Sequence, residues 1–295
     1  MEQDRGNTAR VAELTRRWRD DLADWAIPEH ITASVTESPW VLPVQVFARR
    51  ADQLSAEPTG RSFEREWAAL DPPGTVLDVG AGPGAASLPL APRTTELMAV
   101  DSSRQMLDLL GERATARRLP VRTFRGNWPE IADEVPAADL VTCHHVLYNA
   151  PDIEPFLTAL STHARRLVVV EIAVVHPLSS LNDLWRRFHG LVRPDRPTSD
   201  DVLAILTAMG VPFGAVRWHR GGGSDYPTMA ELVAVTRRRL CLPPDRADDV
   251  ATALVESGVD PAHPRDLGSS GSEVVTIWWN GSALSAQESG QDGQP

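Results

Sequence analysis

A short glycine-rich stretch has the residue types and the spacing of a nucleotide-binding loop. Asp78 is followed by Gly80, Gly82 and Gly84, and Asp101 ends the next apolar run of the chain. Glycines allow positive φ angles and let a ligand approach the main chain. An acid at the end of the second strand can accept hydrogen bonds from a ribose diol. The alternative is a tight structural turn followed by an unrelated surface acid.

Two details of this stretch distinguish between nucleotide cofactors. A dinucleotide site needs its third glycine one residue after Gly84, where this chain has Ala85. The Asp78 carboxylate would repel a pyrophosphate, but it would attract the positive charge of an amino acid joined to a sulfonium. The electrostatics therefore favour S-adenosylmethionine over NAD, and the glycine loop predicts a helix that starts at Ala85.

The segment around the loop alternates short β-branched runs with helix-like stretches such as Arg104–Ala116 and Ile153–Ala164. This alternation predicts βαβ crossovers and a parallel sheet covered on both faces. Two more strands are expected near the end of the chain. The seven predicted strands are Thr75–Val79, Glu96–Val100, Val121–Arg125, Leu140–Cys143, Leu167–Ile172, Ala215–His219 and Val274–Trp278.

The flanks of this core divide the chain into further regions. Residues 1–70 read as an N-terminal helical cap, whose tryptophans either pack onto the sheet or line a lid over a substrate. The cap helices are predicted at Thr8–Trp25, Val44–Leu54 and Arg61–Leu70. Residues 71–281 form the main domain, in which 176–197 and 223–272 are insertions or lid segments. A capping box at Thr198–Asp201 starts another helix, and the Ser-, Gly- and Gln-rich tail 282–295 is predicted to be disordered.

Composition narrows the class of protein. The net charge of −11 makes a nucleic-acid partner unlikely, because phosphate backbones are bound by Lys and Arg. Only Cys143 and Cys241 are present, which argues against a disulfide scaffold and fits a reducing compartment. No apolar run is long enough for a membrane span, and no secretory signal is recognisable at the start. A cytoplasmic location without membrane contact is expected; the oligomeric state is left open.

Three motifs together resemble those of the class I S-adenosylmethionine-dependent methyltransferases. They are Val76–Gly84, Ala99–Leu107 and Ala138–Leu147, in the order and at the spacing of that family. The resemblance covers about Thr75 to Ile172. It implies an α/β fold, a doubly wound Rossmann-like sheet of seven strands with the last strand antiparallel, here preceded by the helical cap. S-adenosyl-L-methionine is the cofactor it implies.

The resemblance also assigns residues to the cofactor. Gly80, Ala81 and Gly82, with Gly84 in the same loop, would line its methionine end, and Asp78 would bind its amino group directly or through water. Asp101 would hold the ribose hydroxyls. The remaining assigned residues are Ser102 and Met106 at the adenine, His144 beside the methionine part, and Asn127 and Trp128 near the adenine amino group. Asn127-Trp128 departs from the acid and small residue common there, and Trp128 could equally be a core residue.

Methyl transfer from a sulfonium depends mainly on holding the nucleophile in line with the methyl group, since the leaving sulfur needs no acid. A general base adds less. The candidates lie at the end of the fourth predicted strand, where the family places the acceptor: His145 and Tyr148. Adjacent strand residues point to opposite faces, so His144 and His145 both enter the site only if the strand has already turned. The alternative for each is a purely structural hydrogen bond. A metal is not expected.

The predicted function is methyl transfer to an oxygen or nitrogen atom of a small molecule. A nucleic-acid methyltransferase shares the chemistry, but the acidic composition and the lack of an Asn-Pro-Pro-aromatic motif argue against it. A non-catalytic S-adenosylmethionine-binding or interaction protein is the other alternative. The residues 176–189 after the fifth strand, rich in aromatic and cationic side chains, either contact the acceptor or cover the sheet edge.

Overall fold

The computed structural model describes residues 2–33, 35, 38–40, 43–220, 226–268 and 273–281. One sheet of seven strands lies at its centre, in the order β3-β2-β1-β4-β5-β7-β6. β7 pairs antiparallel with β5 and β6, while the other pairs are parallel. The strands are β1 (Gly74–Val79), β2 (Thr94–Asp101), β3 (Val121–Arg125), β4 (Ala138–His144), β5 (Ala164–Ala173), β6 (Phe213–His219) and β7 (Glu273–Asn280). The predicted fold class is confirmed.

Ten α-helices are present in the described part of the chain. They are α1 (Glu2–Ala23), α2 (Glu29–Thr32), α3 (Val44–Ala56), α4 (Arg61–Ala69), α5 (Arg104–Ala116), α6 (Ile153–His163), α7 (Asn182–His189), α8 (Ser199–Ala208), α9 (Met229–Arg239) and α10 (Ala247–Glu256). The predicted capping box starts α8, with Thr198 as N-cap and Asp201 as its partner. None of these helices is long and apolar enough to cross a membrane. The predicted disordered tail 282–295 lies outside the described residues.

The helix predicted from Ala85 does not form. Turns follow the glycine loop instead, and a 3₁₀ helix then runs over Leu88–Arg93 into β2. Pro89 and Pro92 explain the error, because each removes a backbone N–H that an α-helix would use. The loop is therefore not followed by the free amides of an α-helix start.

The two faces of the sheet bury different helices. Leu77, Val141 and Val170 point to the face covered by α1, α6 and α8. Val76 and Leu140 point to the opposite face, where apolar residues of α4 and α5 cover them. This alternation along each strand is what burial on both faces requires.

The N-terminal helices do not form a single layer. Trp18 of α1 belongs to the core between the sheet and α1, α6 and α8, which we call the first core. Leu70, just after α4, belongs to the core on the other face of the sheet. A further apolar cluster contains residues of α2, α3, α7, α9 and α10, among them Trp185 and Leu232. Among the N-terminal tryptophans, Trp18 is 1% exposed, whereas Trp40 is 46% exposed and packs onto no core.

Candidate functional site

The glycine loop adopts the geometry that its sequence predicts. Gly80, Gly82 and Gly84 have φ angles of +73°, +52° and +94°. The amides of Gly80 and Ala81 both donate to the carbonyl of Val100, at 2.9 and 3.0 Å, so the loop is fixed to the end of β2. A Cβ atom on Gly82 would meet nothing within 4 Å. The open side of the loop is therefore at Gly82, where a ligand can reach the main chain.

The same geometry shows why Gly80 cannot carry a side chain. A Cβ atom there would lie 2.3 Å from Cγ2 of Val146, the second residue after the end of β4. The glycine loop and the end of β4 are thus in direct contact. Residues 144–146 are held beside the loop, as the predicted site requires.

Asp78 lies at the base of the loop and is 1% exposed. It accepts a hydrogen bond of 2.6 Å from the Ser87 hydroxyl. Burial raises the pKa of Asp78 to about 7, although the hydrogen bond from Ser87 opposes the rise. A cation that bound beside this carboxyl would favour its ionised form and lower the pKa again.

Asp101 ends β2 and already accepts two main-chain hydrogen bonds. Its Oδ2 accepts from the Gly82 amide and its Oδ1 from the Ser103 amide, both at 2.8 Å. Each carboxylate oxygen has a second lone pair, so the group can still accept from a ribose hydroxyl. The bond to Gly82 ties the open part of the loop to this acid.

The predicted adenine-side residues are spread over two strand ends and differ in exposure. Ser102 and Asn127 are exposed, next to the ends of β2 and β3, and Met106 is 7% exposed on the first turn of α5. Trp128 instead belongs to the first core: its Nε1 donates to the Phe156 carbonyl at 3.4 Å and its ring packs edge-on against His163. Of the two interpretations of Trp128, these contacts favour the core residue.

His144 forms a buried pair with Glu66 of α4. Its Nε2 lies 2.8 Å from Oε1 of Glu66, and the Glu66 side chain is 1% exposed. Thr142, two residues earlier on the same face of β4, also donates to Oε1 of Glu66. Burial lowers the pKa of His144, but the charge and hydrogen bond of Glu66 outweigh burial and raise that pKa to about 9. A pKa of about 9 favours the protonated form of this partly buried ring at neutral pH.

His145 follows β4 with a φ angle of +60°, which is strained for a residue with a side chain. The strand has therefore turned, and the ring of His145 reaches Glu171 of β5, with Nε2 3.0 Å from Oε1. Burial first, and then the nearby charge of Arg220, lower the pKa of His145 to about 4. Both histidines thus reach the edge of the sheet, each paired with a different carboxylate.

Glu171 is 2% exposed and is held from three sides. Arg220 Nη2 lies 2.8 Å from Oε1, and the Ser62 hydroxyl donates to Oε2 at 2.6 Å. Burial opposes ionisation, but Arg220 and His145 hold the pKa of Glu171 well below its usual range. Because Glu171 is ionised and only accepts, Nε2 of His145 carries the proton. Nδ1 is then the basic atom, and it makes no hydrogen bond within the described residues.

Tyr148 does not have the surroundings of a catalytic base. Its hydroxyl donates to the Ala173 carbonyl at 2.8 Å, and its ring stacks on Trp18 with centroids 5.8 Å apart. The residue is 8% exposed, and burial raises the pKa of its phenol far above the usual range. The structural alternative considered for Tyr148 is the one that these contacts support.

Sequence reasoning missed the two carboxylates that hold the histidines. Glu171 interrupts the otherwise apolar run Leu167–Ala173, and a charge inside a strand buried on both faces is a signal in itself. Glu66 and Ser62 are four residues apart on α4, so they share one face of that helix, and both are buried. The sheet register brings Glu171 to the site, since His144 pairs with Glu171 across β4 and β5, and the packing of α4 on the sheet brings Glu66 and Ser62 there.

One part of the chain matches a known protein family. Residues 76–167 match the model of a methyltransferase domain family. An uncharacterised protein of Haemophilus influenzae is 33% identical over 94 residues, which cover 32% of this chain and 35% of that protein. The chain therefore matches only about a third of the length of this curated relative.

Two solved structures illustrate the likeness in fold. The magnesium protoporphyrin IX methyltransferase of Synechocystis PCC 6803 with bound SAH is 20% identical, with a TM-score of 0.44 over 66% of this chain and 86% of that one. The plantazolicin methyltransferase BamL in complex with a triazolic desmethylPZN analogue and SAH is 14% identical, with a TM-score of 0.48 over 89% and 97% of the two chains.

The strand order and the glycine loop define a Rossmann-like fold with a nucleotide-type site at the carboxyl ends of β1, β2 and β4. Residues 76–167 of this chain are similar to a methyltransferase domain and lie within this sheet. The match agrees with the methyltransferase family and the S-adenosylmethionine cofactor that the sequence motifs predicted.

Proposed function

We propose that this protein transfers the methyl group of S-adenosylmethionine to an oxygen or nitrogen atom of a small molecule at the end of β4. The cofactor would lie over Gly82, with Asp101 at its ribose and Asp78 and Glu66 below its cationic end. The fit rests on the empty space at Gly82 and on the acidic character of the loop's surroundings. Bound there, the cofactor supplies an electrophilic methyl group.

The observation that carries the acceptor side is the His145–Glu171 pair. Glu171 fixes the tautomer and the orientation of the imidazole, which leaves Nδ1 as proton acceptor. This base and its orienting partner follow the general pattern of positioned acid–base groups. Because the pKa of His145 is about 4, the ring is neutral throughout the physiological range; it is a weak base, so its main contribution is to orient the acceptor.

Small molecules are favoured over nucleic acids as acceptors. The net charge of −11 opposes contact with a phosphate backbone. The ends of β4 and β5 are also covered by neighbouring segments: Trp25 stacks on His176 at 3.9 Å, and the ring of His176 packs edge-on against Tyr148 at 5.0 Å. A covered strand edge suits a compact acceptor better than a duplex.

The proposal is tested first by cofactor binding. S-adenosylhomocysteine at about 100 times its dissociation constant should stabilise the fold by roughly 2.7 kcal/mol, which a thermal shift detects. NADH should give no shift. A shift with NADH and none with S-adenosylhomocysteine would overturn the assignment of the cofactor.

Catalysis is tested with His145→Ala, using His263→Ala as the matched control at a ring that is exposed to solvent. Extracts are incubated with the protein and methyl-labelled cofactor, and the label is followed in fractions separated by size. We expect label in small molecules, about 10²-fold slower turnover for His145→Ala, and unchanged cofactor affinity in both variants. Label found in nucleic acid or protein would refute the small-molecule acceptor.

A further inference from the structure

A chain of side-chain hydrogen bonds runs from the edge strand of the sheet to Glu171. Trp218 of β6 donates through Nε1 to the Thr276 hydroxyl of β7 at 2.8 Å. The hydroxyls of Thr276 and Ser62 lie 2.7 Å apart, and the Ser62 hydroxyl lies 2.6 Å from Oε2 of Glu171. A Cβ atom on Gly60 would lie 2.4 Å from Cη2 of Trp218, so the outer end of the chain is packed against the start of α4.

The direction of each bond in this chain follows from the chemistry of its two ends. An indole N–H can only donate, and an ionised carboxylate can only accept. Each hydroxyl carries one hydrogen, so Ser62 donates to Glu171 and Thr276 donates to Ser62. Thr276 in turn accepts from Trp218. Every polar hydrogen of the chain therefore points towards Glu171, and bonds aligned in this way strengthen one another.

The chain holds the carboxylate oxygen of Glu171 that does not face the histidine. His145 Nε2 and Arg220 Nη2 both contact Oε1, at 3.0 and 2.8 Å. Ser62 contacts Oε2. With both oxygens bonded, the carboxylate does not rotate freely about its last side-chain bond. The N–H of His145 therefore meets an acceptor in a fixed position.

The hydroxyls of Ser62 and Thr276 occupy positions where apolar side chains would also satisfy the fold. Thr276 lies between the buried residues Val275 and Ile277 in the middle of β7, and Ser62 is on the buried face of α4. Replacing a buried hydrogen-bonded pair by apolar groups of the same shape can be neutral or stabilising. Packing alone thus does not explain these two hydroxyls, whereas the carboxylate of Glu171 does.

We propose that Ser62 and Thr276 are positioning residues for methyl transfer, because they fix the Glu171 carboxylate and through it the tautomer and orientation of the His145 ring. This rests on the proposed function, in which Nδ1 of His145 receives the hydrogen bond of the methyl acceptor. Arg220 supplies the charge that keeps Glu171 ionised, while the two hydroxyls determine its orientation.

The tautomer of His145 is measured by long-range proton–nitrogen NMR on the full chain, which requires neither cofactor nor acceptor. We expect one tautomer, with hydrogen on Nε2, in the wild type and a mixture of both tautomers in Ser62→Ala. Ser161→Ala is the matched control and should keep one tautomer. Ser161 is 1% exposed, and its hydroxyl accepts from Trp279 at 2.8 Å and donates to the Leu157 carbonyl at 3.0 Å.

Two variants of Thr276 separate the hydroxyl from the packing of the side chain. Thr276→Val keeps the shape but removes the hydroxyl, so it should shift the tautomers in the same direction as Ser62→Ala. Thr276→Ser keeps the hydroxyl and should retain the Nε2–H form. Transfer of labelled methyl groups to the small-molecule fraction of an extract should slow by roughly 10- to 10²-fold in Ser62→Ala, with unchanged affinity for S-adenosylhomocysteine.

A single Nε2–H tautomer in both Ser62→Ala and Thr276→Val would overturn the proposal, as would an equally large mixture in Ser161→Ala. Unchanged turnover in Ser62→Ala despite mixed tautomers would refute its part in the reaction. Failure of the proposed function gives a different result: the wild type would transfer no methyl group, while the tautomers of the wild type and the variants would still be those expected here.

Discussion

The buried pair of Glu66 and His144 makes the stability of this protein depend on pH in a predictable direction. The perturbation is Glu66→Gln, which keeps the shape of the side chain and its ability to accept from Thr142, but removes its charge. His144 then loses its ion-pair partner, and burial, the largest influence on the ring, lowers its pKa against the weaker opposing effects of Glu171 and Asp78. The variant should therefore hold a neutral imidazole at neutral pH.

The magnitude follows from the pKa of His144. A value of about 9 in the folded protein against 6.5 ordinarily corresponds to about 3 kcal/mol of stability. Because the folded-state pKa is raised, this contribution is fully present below about pH 6.5 and is lost as the pH rises through 9. Glu66→Gln lacks the contribution at every pH. The difference in unfolding free energy between the two proteins should shrink by about 3 kcal/mol from pH 6.5 to pH 9.5.

Urea denaturation at constant salt gives these free energies. Comparing the two proteins at each pH cancels the contributions of titrating groups that the substitution does not affect. Titration of the His144 ring protons by NMR provides a direct second measurement, with a midpoint near 9 in the wild type and below 6.5 in the variant. A difference in stability that stays constant from pH 6.5 to 9.5 would refute a charged pair.

Two further predictions separate positions that look alike in sequence. Gly80→Ala should destabilise the fold by on the order of 2–4 kcal/mol, because the φ angle of Gly80 is +73° and the new Cβ would overlap Val146. Gly82→Ala should cost about 1 kcal/mol of stability and should mainly weaken cofactor binding. Thermal unfolding with and without S-adenosylhomocysteine distinguishes the two variants. Tyr148→Phe should lose about 1–2 kcal/mol of stability with little change in turnover, since the Tyr148 hydroxyl donates to the Ala173 carbonyl. A reaction slower by about 10²-fold in this variant would instead indicate that Tyr148 acts as a base.

The strands and the glycine loop could be predicted from sequence because burial and backbone conformation determine which residues occupy them. The run Leu167–Ala173 is apolar apart from Glu171, as a strand buried on both faces must be, and the glycines from Gly80 to Gly84 stand where the backbone takes positive φ. The same signals failed after Ala85, where Pro89 and Pro92 replace the expected helix by a 3₁₀ turn. Both prolines are present in the sequence, and they argue against an α-helix over these residues.

The partners of the histidines could not be predicted, because they depend on long-range register rather than on local pattern. Glu66 is 78 residues before His144 in sequence, and only the packing of α4 on β4 brings the two together. The role of Tyr148 was equally undetermined, since a tyrosine after a strand end can contact either substrate or a main-chain carbonyl. In the structure the Tyr148 hydroxyl donates to the carbonyl of Ala173.

Acidic side chains are concentrated on the cofactor side of the proposed site, and this has a consequence for turnover. Asp78, Glu66 and Asp101 surround the cofactor side, while Arg220 on the acceptor side is paired with Glu171. A cationic sulfonium is attracted to the acidic side. Methyl transfer to a neutral hydroxyl or amine converts the sulfonium to a neutral thioether, so the attraction to the acidic side falls when the product forms. On this assignment the electrostatics favour binding of S-adenosylmethionine over retention of S-adenosylhomocysteine, and they promote product release.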